Sequence, residues 1–124
     1  MQHYLIVTPS WYFRTFIVDS AESLYRLKID GYSGNAGESM ILTTNGMAFS
    51  TIDEDNDTYG SNCAQWFQGA WWYESCHFSN LNGLYLKGAH SSYADGIEWE
   101  SWKGFYYSLK FTEMKLRPIA KRND

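Results

Sequence analysis

The stretch TIDEDNDTYGSNC, residues 51–63, crowds four acidic side chains into a turn that closes on one of only two cysteines. Carboxylates this close repel one another, so the segment reads either as a solvated acidic turn or as a seat for a cation. Asp53, Asp55 and Asp57 alternate, but the EF-hand pattern fails in both registers. Counted from Asp53 the sixth position is Thr58 and the twelfth Ala64, and from Asp55 the twelfth is Trp66, so the bidentate Glu is missing. Calcium remains compatible, because two carboxylates, backbone carbonyls and water supply the hard oxygens it needs. Such a site would gather Asp55, Asp57 and main-chain oxygens a few residues on, where Gly60 lets the chain curl. Asn56-Asp57-Thr58 is also a glycosylation sequon, expected to be unused because a glycan would crowd the ion.

Outward from this turn, Cys63 and Cys76 complete the cysteine inventory. An even pair enclosing a short loop favours a disulfide and an oxidising compartment. Zinc lacks a second Cys/His pair, and a Cys76–His77 nucleophilic site is disfavoured because sequence neighbours rarely point at each other. FRTFIV (13–18) and LYRLKI (24–29) read as strands, and GYSGNAGES (31–39) as a loop. MILTT and MAFST flank Asn45-Gly46, a strong hairpin signal. From 51 to 104 turn residues recur every few positions, predicting an irregular region. The final strand is FYYSLKFTEMKLR (105–117), with Phe105, Tyr107, Leu109 and Phe111 on one face. Met114 and Leu116 then require a bulge near Thr112 or Glu113, and Pro118 ends the strand. No long capped helical period appears.

A chain of 124 residues is one domain or part of one. Its 6 Trp, 10 Tyr and 7 Phe exceed what a core requires, and such amphipathic rings often line binding surfaces. Most are still expected in the core, including Trp66, Trp71, Trp72, Trp99 and Trp102. Net charge is −4, with Lys115, Arg117, Lys121 and Arg122 scattered at the end, which argues against nucleic acid. No apolar run approaches the roughly 20 residues of a membrane span. Residues 1–13 lack a basic start and a long apolar middle, so no signal peptide is expected in this chain. No nucleophile–base pair or phosphate loop suggests an enzyme.

The segments DEDNDTYGSNCAQWFQGAWWYESCHFSNLNGLYLKG and YADGIEWESWKGFYYSLKFTEMKLRP resemble the C-terminal half of a fibrinogen-related domain. The resemblance is to ficolins, tachylectin-like lectins and acetyl-binding fibrinogen C domain receptors, over roughly residues 10–119 including GYSGNAGES and NGMAFST. It implies one calcium ion held by the side chains of Asp55 and Asp57 and the carbonyls of Tyr59 and Ser61. It also implies the Cys63–Cys76 disulfide and a cis peptide before Cys76. An acetyl pocket would be formed by Phe67, Ser75, Cys76, His77, Tyr93, Ala94 and Phe105. There the methyl group packs against Phe67, Tyr93 and Phe105, and the carbonyl oxygen accepts from backbone N–H groups around Cys76 and His77. Phe67 stands where many relatives carry Tyr, and Ser75 where Asn is common. The N-terminal half of the usual domain has no counterpart here.

The expected architecture is α+β with little helix: a partial twisted antiparallel sheet and a loop-rich calcium-binding lobe. Residues 1–12 are read as an atypical N-terminal segment, 13–119 as a partial fibrinogen C-terminal domain and 120–124 as a tail. The expected function is extracellular, calcium-dependent recognition of acetylated carbohydrate, of the innate-defence lectin type. The alternative is a protein-binding or structural fibrinogen-like fragment. Strands left without partners make association into a homo-oligomer an expectation as well.

Overall fold

Residues 12–18 place Phe16 and Val18 on a buried face with Ile17 only partly covered between them, the period of a strand. The computed structural model describes residues 2–6 and 11–117, with side chains for residues 12–114. The elements begin with β1 (Gln2–Ile6), β2 (Trp11–Val18), β3 (Leu27–Gly34), α1 (Ile41–Thr44) and α2 (Cys63–Phe67). They continue with β4 (Ser79–Asn80), β5 (Gly88–Ala89), β6 (Glu98–Trp99), α3 (Glu100–Lys103), β7 (Tyr107–Ser108) and β8 (Glu113–Arg117). Among the described residues no helix exceeds five residues, as the lack of a helical period implied.

The main sheet is antiparallel in the order β3-β2-β1-β8. Phe16 lies opposite Ile29 and Val18 opposite Leu27, so both strands offer their apolar side chains to one core. Nearer the start of β2 the buried residue is Phe13, out of phase with Phe16. The phase changes across from Gly31, whose φ of +73° and whose missing Cβ, which would sit 2.7 Å from Arg14 Cβ, make glycine necessary. β1 lies between β2 and β8, so the N-terminal segment contributes an interior strand. The expected strand end at Pro118 and the tail at 120–124 lie outside the described residues, as does the burial of Leu116.

Several local expectations give way to tertiary contacts. The hairpin at Asn45-Gly46 is instead the end of α1: Asn45 (φ −65°, ψ 130°) and Gly46 (φ +82°) have type II turn geometry. Met47 N–H closes that turn on the Thr44 carbonyl, and Asn45 Oδ1 accepts from Ile29 N–H at the edge of β3. The Glu38 carboxylate, accepting from the N–H groups of Met40 and Ile41, starts the helix that displaced the strand. β3 begins at Leu27, not Leu24, because Leu24 and Tyr25 are left-handed and the Tyr25 carbonyl accepts from the Trp72 indole. It also runs on through Gly34, into what reads as a loop in sequence.

The strand expected over 105–117 is two strands, β7 paired with β5 and β8 paired with β1. Ser108 Oγ accepts from Leu86 and Ile97 N–H and donates to the Leu84 carbonyl, which pins the chain and breaks the alternation. Leu109 is therefore buried while Tyr107 and Phe111 are exposed.

The core beneath the sheet is aromatic. Trp71, Trp99, Tyr73, Phe13 and Phe16 are fully buried, and Trp72 meets Phe16, Phe49 and Trp71 edge-on. Trp66 is the exception to the expected tryptophan core, at 66% exposure. Removing a fully buried indole forfeits its packing, typically about 3–5 kcal/mol. Trp71→Ala is thus expected to lower unfolding stability by that amount in urea titration, whereas Trp66→Ala should change it by less than about 0.5 kcal/mol.

Candidate functional site

Thr51 and Glu54 exchange backbone hydrogen bonds and turn the chain into the acidic loop. Asn56 points inward, its N–H donating to Ser50 Oγ and its side-chain amide to the Phe49 carbonyl. Asp53 and Asp55 are exposed, and Asp57 is partly buried. Asp55 Oδ1 accepts from Asp57 N–H at 3.2 Å, and Asp57 accepts from Tyr59 N–H at 2.9 Å and Cys63 N–H at 3.0 Å. Partial burial, and the neighbouring Asp55 carboxyl, raise the Asp57 pKa above the usual carboxylate value. Among the described residues no three His, Cys, Asp or Glu side chains cluster as a metal site. A cation here would rest on Asp55, Asp57 and neutral oxygens. The carbonyls of Tyr59 and Ser61 accept no hydrogen bond among the described residues, so that donor set is open.

Asp57 is also the link to the next element. Its contact with Cys63 N–H holds the first turn of α2, which Asn62 caps through Gln65 N–H. Cys63 is bonded to Cys76 with Cα atoms 5.6 Å apart, and the Ser75–Cys76 peptide is cis. Thr58 N–H donates to the Glu74 carbonyl, a second tie between the loop and the Ser75–His77 segment. The far end of α2, closed by left-handed Gln68, presents Trp66 and Phe67.

These segments enclose a cavity of about 540 Å³. All seven residues expected at the pocket line it: Phe67, Ser75, Cys76, His77, Tyr93, Ala94 and Phe105. Phe67 stands edge-on to His77 at 5.0 Å between ring centres, Phe105 lies 5.7 Å from His77, and Tyr93 lies 5.4 Å from Phe105. His77 is buried, and its Nε2–H donates to the Ala94 carbonyl at 2.8 Å. That leaves Nδ1 as an acceptor with no partner among the described residues. Burial lowers the His77 pKa to about 4, so the ring is neutral at pH 7. The N–H groups of Cys76 and His77 likewise donate to nothing among the described residues.

Three further residues line the cavity: Tyr59, read in sequence only as a calcium ligand, Trp66, expected in the core, and Phe78, which sequence reasoning missed. Their positions beside Asp57, Phe67 and His77 were the available signal. It also missed what holds the wall carrying Tyr93 and Ala94. His90 Nδ1 lies 2.8 Å from the Ser92 carbonyl, which can only accept, and Nε2 lies 2.6 Å from Glu98 Oε1. The second contact therefore needs a proton of its own, shared between a buried imidazole and a fully buried carboxyl. Burial raises the Glu98 pKa while His90 opposes that rise. Gly96 permits the arrangement, since a Cβ there would lie 2.7 Å from Glu98 Oε1.

A family model for the C-terminal globular domain of fibrinogen beta and gamma chains matches residues 7–119. The chain is 58% identical over 106 residues to human fibrinogen C domain-containing protein 1, covering 86% of this chain and 23% of that protein. It is 55% identical over 107 residues to Techylectin-5A of Tachypleus tridentatus, covering 86% and 36% respectively. The fibrinogen-like globe domain of human ANGPTL2 is 37% identical with a TM-score of 0.81, over 94% of this chain and 56% of that one. Lamprey fibrin D-dimer complexed with the peptide Gly-His-Arg-Pro-amide is 30% identical with a TM-score of 0.77, over 99% and 47%. The chain thus spans well under half of those two curated relatives and about half of these solved chains. With the sequence match running over nearly its whole length and the same fold in those structures, the chain belongs to the fibrinogen C-terminal globular domain family.

Proposed function

We propose that this chain is an extracellular recognition module for acetylated carbohydrate whose cleft is supported by calcium. The observation that carries the reading is one uncharged aromatic cavity bordered by two backbone N–H groups, those of Cys76 and His77, that have no partner among the described residues. An acetamido group matches this environment. Its methyl packs between Phe67, Tyr93 and Phe105, and its carbonyl oxygen accepts from the free N–H groups. A neutral His77 fits a neutral ligand, because it asks for no counter-charge in the cleft.

Asp55 and Asp57, with the carbonyls of Tyr59 and Ser61, are the residues suited to hold calcium. Bound there, the ion would neutralise the carboxylate pair and stiffen the loop. Asp57 passes that restraint to α2, and Thr58 passes it to the backbone at Glu74. The ion is structural in this scheme, and the sugar meets only protein groups. A disulfide supports an extracellular setting, and association of several chains would multiply weak single-site contacts. A second reading, recognition of a peptide in the same cleft, is favoured by the related lamprey fibrin seen with a peptide.

Calorimetric titration with N-acetylglucosamine is expected to give saturable binding near millimolar, about 4 kcal/mol. Glucose should not bind, and chelator or Asp57→Asn should weaken binding at least tenfold. No saturation at high millimolar sugar would reject the carbohydrate reading, and retained peptide binding would then favour the alternative.

His77 makes a separate prediction. The unfolded chain takes up the imidazole proton near pH 6.5 and the folded chain only near pH 4, so stability falls as pH drops through that window. The expected loss between pH 7 and pH 5 is about 2 kcal/mol by urea unfolding, and His77→Phe should remove most of it.

A further inference from the structure

We infer that the cleft contains a second subsite beside the acetyl slot. It is a ledge formed by Trp66 with Tyr59, against which the sugar ring next to the acetylated one stacks. This inference rests on the carbohydrate reading and specifies its ligand as an oligosaccharide of neutral rings.

Consecutive residues on a helix point about 100° apart, so the end of α2 divides its two aromatics between different directions. Phe67 turns inward to meet His77 and Tyr93. Trp66 lies along the rim with 66% of its surface exposed, yet it lines the same cavity, as does Tyr59 at 45% exposure. Unlike Phe67, Tyr93 and Phe105, it makes no ring contact among the described residues. Its face is free.

The ledge is fixed in place. α2 is only five residues long, but its first turn is held by the Asn62 cap, the Asp57 contact and the disulfide. A platform that is already ordered gives up little conformational freedom on binding.

Size and chemistry define the occupant. The cavity is about 540 Å³, whereas an acetyl group fills only the space of two or three waters at roughly 30 Å³ each. No Lys, Arg, Asp or Glu side chain lines the cavity, so nothing in it pairs with a phosphate, a sulfate or a charged peptide side chain. A pyranose offers an apolar C–H face and a polar edge, the complement of an exposed indole on a cavity that a tyrosine also lines.

The test compares N-acetylglucosamine with its β-1,4-linked disaccharide by calorimetry, on the wild-type chain and on Trp66→Ala and Trp66→Phe. The wild type should bind the disaccharide roughly tenfold more tightly, beyond the roughly twofold gain from carrying two acetyl groups. Trp66→Ala should erase that excess while leaving monosaccharide affinity within about twofold, and Trp66→Phe should keep part of it. Equal affinity of the wild type for both sugars, or equal weakening of both by Trp66→Ala, overturns the second subsite but leaves the acetyl slot standing. Absence of monosaccharide binding overturns the carbohydrate reading, and this inference with it.

Discussion

The carboxylate of Asp57 holds two parts of the molecule that sequence alone leaves unrelated. By accepting from Tyr59 and Cys63 N–H it closes the acidic loop on itself and anchors the first turn of α2. From α2 the connection runs through the disulfide to the Ser75–His77 segment, and along the helix to Phe67 and Trp66. The loop and the cleft therefore share one framework of covalent and charge-assisted contacts. That arrangement carries a cost, because burial and the Asp55 carboxyl both resist a charged Asp57. A cation on the loop would relieve both effects at once, and its binding would then be felt in the cleft.

The opposite wall is held by side-chain and backbone hydrogen bonds. His90 and Glu98 share a proton in the interior and hold the chain from His90 to Gly96, while Ala94 N–H donates to the Phe105 carbonyl and the Ala94 carbonyl accepts from the His77 ring. Aromatic rings line the space between the walls. The cleft is consequently lined by uncharged groups and shaped chiefly by packing. A charged His77 would disrupt this, and its burial among rings prevents charging near neutral pH.

Local chemistry makes part of this molecule legible in its sequence. The period of two around Phe16, the scarcity of helix and the acidic loop all follow from side-chain pattern, and the family resemblance named the seven cleft residues that stand together. Other features depend on partners distant in the chain. Asn45-Gly46 suits more than one turn, and Glu38 capping and the edge of β3 decide between them. An alternating run at 105–111 looks like a strand until Ser108 is pinned by Leu84, Leu86 and Ile97. Trp66 and Trp71 have the same composition signal, and tertiary placement separates them: Trp66 sits on the exposed side of α2, whereas Trp71 is bridged to Ser50 in the core. The proton shared by His90 and Glu98 has no sequence signature, since neither residue type at that spacing requires the other.

If loop and cleft are one system, their ligands must be linked, and the linkage must be reciprocal. Calcium affinity should therefore be measured on this chain with and without saturating N-acetylglucosamine. Tighter calcium binding in the presence of the sugar, by the same factor with which calcium tightens the sugar, is the result expected. An identical calcium affinity in both conditions would contradict the coupling, and so would failure of the loop to bind calcium at all.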